Sequence, residues 1–314
     1  MRVTGIGLSM LCGALSVASA QPGAGVDPMI KSDAAMQVSE HVYVILDDGV
    51  SFVPNVGIVV GERATLIVDT GLGEANGRIV LAEANKLSDN REFYVAATHY
   101  HPEHDLGATA FPADARMIRW QAQEDEVQSI GADTARRFAG FSPRLAELLD
   151  GAEFRAVDLL FDRELTVDLG GVRVRIVGAG PNHTLGDTVF FVEQDRVLFT
   201  GDVVMSVFPA ASAASGSVSK WIANMNEYES WNPVVVVPAH GRLGDIGFIR
   251  TYRDYFSAIQ QRVGQLKAQG VSADETAASL SESLAEQFAT LQPASGNSAG
   301  RIGAAVRAAY REAQ

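Results

Sequence analysis

Apolar positions follow two alternating regimes along the chain. Residues 41–46, 56–60 and 65–68 are short β-branched runs separated by turn residues, the pattern of strands. Residues 75–87 then place Ile79, Val80, Leu81 and Leu87 at helical intervals. Residues 93–97 form a short apolar strand that runs directly into Thr98 and His99. The charged stretch 119–149 reads as helical, interrupted by Gly131, Gly140 and Pro143. Strands return at 165–167, 172–177, 188–192 and 196–199, and 209–216, rich in Ala and Ser, reads as a flexible loop. A helix over 219–229 leads into the apolar strand 234–237, and from Ile246 the pattern is helical to the end, with a break near 293–296. Helices alternating with strands predict sheets covered by helices.

The two ends stand apart from this core. Arg2 supplies a positive start, residues 6–17 are apolar apart from Gly and Ser, and Ala18-Ser19-Ala20 offers small residues before Gln21. That pattern predicts a cleaved secretory signal over 1–20; the run is shorter than the ~18 residues that span a bilayer. The expected compartment is the periplasm or the exterior, with no membrane attachment after cleavage. Residues 21–37, rich in Gly, Pro and Asp, are expected to be mobile, 38–245 to form the main domain, and 246–314 a helical extension. Within that extension Tyr252, Tyr255, Phe256 and Phe288 are expected to pack against the core, as are Trp221 and Trp231.

Composition narrows the chemistry. Cleavage removes Cys12, the one cysteine, so disulfides and thiolate ligands are excluded and any metal must be held by histidine and carboxylate. A formal charge of −13 repels phosphate backbones, which argues against nucleic acid; the expected partner is a small-molecule substrate.

Five of the six histidines lie in three short motifs. The first is Thr98-His99-Tyr100-His101-Pro102-Glu103-His104-Asp105. An isolated histidine is ordinarily a hydrogen-bonded core or surface residue. Three imidazoles and a carboxylate at the mouth of an apolar strand would leave many polar groups to satisfy without a metal. Strand residues i and i+2 share a face but stand too far apart to chelate one ion comfortably. A tight loop can turn His99 and His101 toward one metal and Glu103 and His104 toward another, and Pro102 favours such a loop. Asn182-His183-Thr184-Leu185-Gly186-Asp187, Thr200-Gly201-Asp202 and Pro238-Ala239-His240-Gly241 each set one ligand-type residue beside an apolar strand. Strand ends can gather such residues at one rim of a sheet.

In this order, His-x-His-x-acid-His followed by His, Asp and His, the chain resembles the metallo-β-lactamase superfamily over roughly residues 38–245. The resemblance implies an αββα sandwich of two mixed β-sheets faced by helices. It implies that His99, His101 and His183 bind one metal, that Glu103, His104 and His240 serve a second, and that Asp202 bridges both. Asp69, in Val68-Asp69-Thr70-Gly71, matches the family's early aspartate and would orient a ligand histidine. Two departures stand out. Glu103 occupies a position where the family usually carries aspartate, which leaves open whether it is a ligand or a base, and whether the second site is full. The dedicated β-lactamases of the family place cysteine or serine where this chain has Asp202; glyoxalase II and lactonases carry the aspartate.

Such ligands suit Zn²⁺, two per chain, although Fe or Mn is compatible with oxygen-rich bridged sites. Zinc lowers the pKa of bound water from ~15.7 to ~7, and Glu103 and Asp202 would be the catalytic carboxylates. The expected activity is hydrolysis of an ester, lactone, thioester or amide, β-lactams included. An iron-dependent redox enzyme and a non-catalytic zinc protein are the other classes; the intact ligand set counts against the latter.

Overall fold

The computed structural model describes residues 27–212, 214–291 and 297–314; the leader at 1–20 and the break at 293–296 lie outside them. The first half of the chain runs β1 (Met36–Gln37), β2 (Val42–Ile45), β3 (Val56–Val60), β4 (Ala64–Val68), α1 (Gly73–Leu87), β5 (Glu92–Ala96), α2 (Pro102–Asp105) and β6 (Arg116–Trp120). It continues through α3 (Gln121–Glu126), α4 (Ala132–Ala139), α5 (Pro143–Leu148) and β7 (Leu159–Phe161). These seven strands pair in chain order, antiparallel as far as β4 and parallel from β4 to β7. The second half supplies β8 (Glu164–Asp168), β9 (Arg173–Gly178), β10 (Thr188–Val192), β11 (Val197–Gly201), α6 (Val218–Ser230) and β12 (Val235–Pro238). They form a second mixed sheet, antiparallel except where α6 returns the chain to lay β12 parallel to β11.

Side-chain alternation explains the layering. Leu66 and Val68 of β4 join Phe190 and Val192 of β10 and Phe199 of β11 in the core between the sheets. The intervening Ile67 faces outward onto Val80 and Ala84 of α1, and Val189 and Phe191 face outward beneath α6 and the C-terminal helices. Strands covered on both faces have no polar side to show, so β4, β10 and β11 are buried along their whole length. The result is the four-layer αββα sandwich that the sequence led us to expect. Gly57 in β3 is a point of close approach: a Cβ there would lie 2.3 Å from Phe199 Cε1, so only glycine lets that ring cross between the sheets.

The C-terminal extension is α7 (Ile246–Ala268), α8 (Ala273–Gln287) and α9 (Ser298–Glu312). Tyr252, Tyr255, Phe256, Phe288 and Trp221 are buried together against the outer face of the second sheet, with Trp231 packed on that cluster, as expected. Among the described residues, no helix is long and apolar enough to cross a membrane.

Two local expectations differ, at β6 and in the helical tail. Arg119 and Trp120 end strand β6 rather than begin a helix; a strand can hold Arg119 because its guanidinium is paired with Asp105, bonding through Nη2 at 2.8 Å. Within 27–37, part of the stretch expected to be mobile, only Pro28 and Ile30 are buried. The Ile30 amide donates to Asn76 Oδ1 at 2.6 Å, and Ile30 is buried against α1. The helical tail also breaks once more, at 269–272. There Gly270 adopts φ +80°, and Ser272 starts α8 with a reciprocal cap to Glu275.

Candidate metal centre

The loops after β5, β9, β11 and β12 each deliver part of one cleft. The loop after β5 carries His99, His101, Glu103 and His104, the last two on the single turn of α2 that Pro102 starts. The β9–β10 loop carries His183, the end of β11 leads to Asp202, and the end of β12 leads to His240. All seven residues expected from sequence come together. His99 Nε2 lies 2.9 Å from His101 Nδ1, which is 3.3 Å from His183 Nε2. Glu103, His104 and His240 form a second group, with one donor atom from each within 4.8 Å of the others. Asp202 stands between, Oδ2 being 3.5 Å from His183 Nε2 and Oδ1 3.8 Å from His240 Nε2. Each group thus draws two members from the first sheet and one from the second.

These donors fit divalent metal. Nitrogens at 2.0–2.1 Å from a tetrahedral zinc stand about 3.3 Å apart, close to the spacing of the three imidazoles. Glu103 Oε2, His104 Nε2 and Asp202 Oδ1 are buried with no hydrogen-bond partner among the described residues, and such atoms call for a ligand. Protonation supports the same reading at His99, His101 and Asp202. Burial, reinforced by the neighbouring imidazoles, holds His99 and His101 well below the usual histidine range, so their lone pairs are free. Burial opposes a charge on Asp202, yet His183, His240 and His104, with Arg301 beyond, keep it well below the ordinary carboxylate range. Burial lifts Glu103 above its ordinary range, against the pull of His104. At His104 burial disfavours the charged ring, but the Asp69 carboxylate pushes it up to about 9.

The far side of each ring is also held. His104 Nδ1 lies 2.9 Å from Asp69 Oδ2, the partnership expected of that aspartate. Asp69 is in the left-handed region at φ +64° and also takes the Thr98 amide at 2.7 Å and the Thr98 hydroxyl at 3.1 Å. His183 Nδ1 meets Ala210 O at 2.8 Å, and His240 Nδ1 meets Val53 O at 3.0 Å. With Nδ1 donating, Nε2 of each ring is left to face the cleft.

Several supports were invisible to sequence reasoning. Glu126 of α3 accepts the amides of Leu185 and Gly186 at 3.1 and 2.7 Å, bracing the loop that carries His183. Asp187 receives the amide and hydroxyl of Thr184 within that loop. The buried Asp105–Arg119 pair fixes α2 behind His104. Asn55 donates to Pro238 O and Gly241 O, at 2.9 and 2.8 Å, on either side of His240. Only Asp105 and Asp187 carried a signal, by lying inside the histidine motifs. The sixth histidine, His41, lies elsewhere and bonds Asp195 at 2.8 Å.

Beside His101 the cleft has an aromatic wall. The Phe138 ring centre is 5.7 Å from His101, Phe52 and Phe141 pack with it at 5.7 and 5.3 Å, and Phe141 is exposed. The Arg137 guanidinium sits 5.9 Å from the Phe138 ring centre.

Comparison with known proteins agrees with this geometry. The model of the metallo-β-lactamase superfamily matches residues 50–240. A linear primary-alkylsulfatase from a Pseudomonas species is 24% identical over 258 residues, covering 69% of this chain and 48% of that protein. An atrochrysone carboxyl ACP thioesterase from Aspergillus fumigatus is 28% identical over 187 residues, covering 60% and 37%. The chain therefore spans less than half the length of either relative. Among solved structures, the stereoselective inverting sec-alkylsulfatase Pisa1 from Pseudomonas sp. superposes with a TM-score of 0.69 at 17% identity, covering 89% of this chain and 50% of that one. That likeness is one of fold.

Proposed function

The chain belongs to the metallo-β-lactamase superfamily, and we propose that it is a dinuclear zinc hydrolase of esters or thioesters that carry an apolar acyl or alkyl group. The observation that carries this is the position of Asp202, one oxygen toward each of two three-residue donor groups. Divalent ions bound there would lower the pKa of a coordinated water and polarise the scissile oxygen. His99, His101 and His183 would hold one ion and Glu103, His104 and His240 the other, with Asp202 between them. Glu103, with a buried oxygen that has no partner among the described residues, would accept a proton and release it to the leaving group. Phe52, Phe138 and Phe141 would seat the apolar group and keep water from that side. Arg137 brings a positive charge to the same wall, suited to an anionic leaving group. A relative acting on alkyl sulfates and another acting as a thioesterase support an apolar chain attached to an activated ester.

The test is a panel on purified zinc-loaded protein: p-nitrophenyl esters of graded acyl length, acyl thioesters, lactones, alkyl sulfates and β-lactams. Chelation should abolish turnover and zinc restore it, and kcat/KM should rise with acyl length. High efficiency on penicillins or carbapenems with none on the other classes would overturn the substrate assignment. We also propose that residues 1–20 direct export and are then removed, as their pattern of charge, apolar run and small residues suggests.

A further inference from the structure

The segment after Asp202 is built from carbonyls that answer to side chains elsewhere. Val203 O accepts from Trp221 Nε1 of α6 at 2.8 Å. Val207 O accepts from the Tyr252 hydroxyl of α7 at 2.6 Å, and Phe208 O from Arg301 Nη1 of α9 at 2.6 Å. Two residues on, Ala210 O takes the His183 ring, 2.8 Å from Nδ1. The Phe208 side chain is buried, its ring 5.7 Å from that of Tyr255. One short stretch of backbone is therefore gripped on one side by the C-terminal helices and on the other grips a residue of the cleft.

We propose that Tyr252 and Arg301 are positioning residues for the metal centre: by fixing the carbonyls of Val207 and Phe208 they hold Ala210 O where it sets the tautomer and tilt of His183. The C-terminal extension is thus part of the metal site without touching it. The proposal rests on His183 being a metal ligand, as the proposed function has it. A ring nitrogen facing the ion requires the hydrogen on the other nitrogen, and the partner of that hydrogen governs affinity. Tyr252 is fully buried, and burial drives its hydroxyl far above the ordinary tyrosine range, so it remains a donor. Arg301 makes no ion pair among the described residues, although its charge reaches Asp202; its anchor is the Phe208 carbonyl. Tyr255 supplies an internal control: it lies on the same helix in the same aromatic cluster, but its buried hydroxyl has no partner among the described residues.

The test measures zinc affinity by competition with a chromophoric chelator, the visible spectrum of the Co²⁺-loaded form, and the melting temperature of the chelated protein. Full-length parent, Tyr252→Phe, Tyr255→Phe, Arg301→Gln and Arg301→Lys are compared. Tyr252→Phe and Arg301→Gln are expected to weaken zinc binding about tenfold, the low end for a ligand's hydrogen-bond partner, and to alter the Co²⁺ bands. Tyr255→Phe should leave both unchanged, and Arg301→Lys, which keeps a donor, should recover most of the affinity. The inference is overturned if Tyr252→Phe and Arg301→Gln bind zinc within twofold of the parent. It is equally overturned if Tyr255→Phe loses as much affinity as Tyr252→Phe, since the effect would then be packing alone. A parent that binds no zinc would instead overturn the metal reading beneath it.

Discussion

Replacing Asp69 separates what holds the cleft together from what binds metal. Asp69 Oδ1 takes the Thr98 amide, and Oδ2 takes both the Thr98 hydroxyl and the His104 ring. All three residues are buried. Asp69→Ala orphans three polar groups at about 1–3 kcal/mol each, so a loss of roughly 3–9 kcal/mol is expected. Against a total of about 5–15 kcal/mol, that variant folds marginally or not at all. Asp69→Asn is the informative change, because asparagine tolerates the left-handed backbone at this position. The Thr98 amide can only donate, so the side-chain oxygen must stay opposite it and the new NH₂ group faces His104. His104 is then forced to carry its hydrogen on Nε2, the atom the cleft requires bare. Stability should fall by about 1–3 kcal/mol, while zinc affinity falls about 10–100-fold. Urea denaturation of the chelated protein reads the first quantity, and chelator competition the second. An Asp69→Asn protein that binds zinc within threefold of the parent would refute the claim that this carboxylate sets the His104 tautomer.

Three further outcomes follow from the same geometry. His101→Ala removes the nitrogen shared by both short contacts in the first group, so elemental analysis should fall from about two zinc ions per chain toward one, with nearly all hydrolysis lost. Asp195 accepts the Ser39 hydroxyl at 2.5 Å and the His41 amide at 2.8 Å; burial opposes its charge, but these bonds hold its carboxyl below the ordinary range. Its contribution is therefore full above the unfolded value near 3.9 and fades as pH drops through the lower folded value. Asp195→Asn should be less stable than the parent in urea at pH 6, with the gap narrowing as the pH is lowered below the unfolded value. The exported protein should begin at Gln21, which intact mass will show.

What could be read in advance, and what could not, divides by the range of the interaction. Strands β3 and β10 were delimited to the residue, since each is an unbroken apolar run between turn residues and is covered on both sides. The ligands were legible because three histidines crowd into six positions and the other motifs repeat the strand-then-ligand pattern. Strand β6 was not, because Arg119 belongs in a strand only once Asp105 is folded against it. β1 and β7, of two and three residues, are too short to show any period. The break before α8 did carry a local sign, the Ser272-x-x-Glu275 cap, within a tail read as continuous helix. Glu126 and Asn55 left no trace: each acts on backbone from a distant part of the chain, and a carboxylate on one helix does not reveal which amides it will meet.

The sharing of donors between the sheets also orders events in time. The loop after β5 can offer at most His99 with His101, or Glu103 with His104, and neither pair encloses an ion. The third donor arrives only when β9 to β12 have formed and docked, bringing His183 and His240 across the seam. A chain stalled halfway owns the ligands without owning a site, so tight metal capture attests to completed folding. In the finished molecule, ions bound there would act as rivets across the seam between the two sheets. Chelation should therefore hasten unfolding at that seam before it alters either sheet.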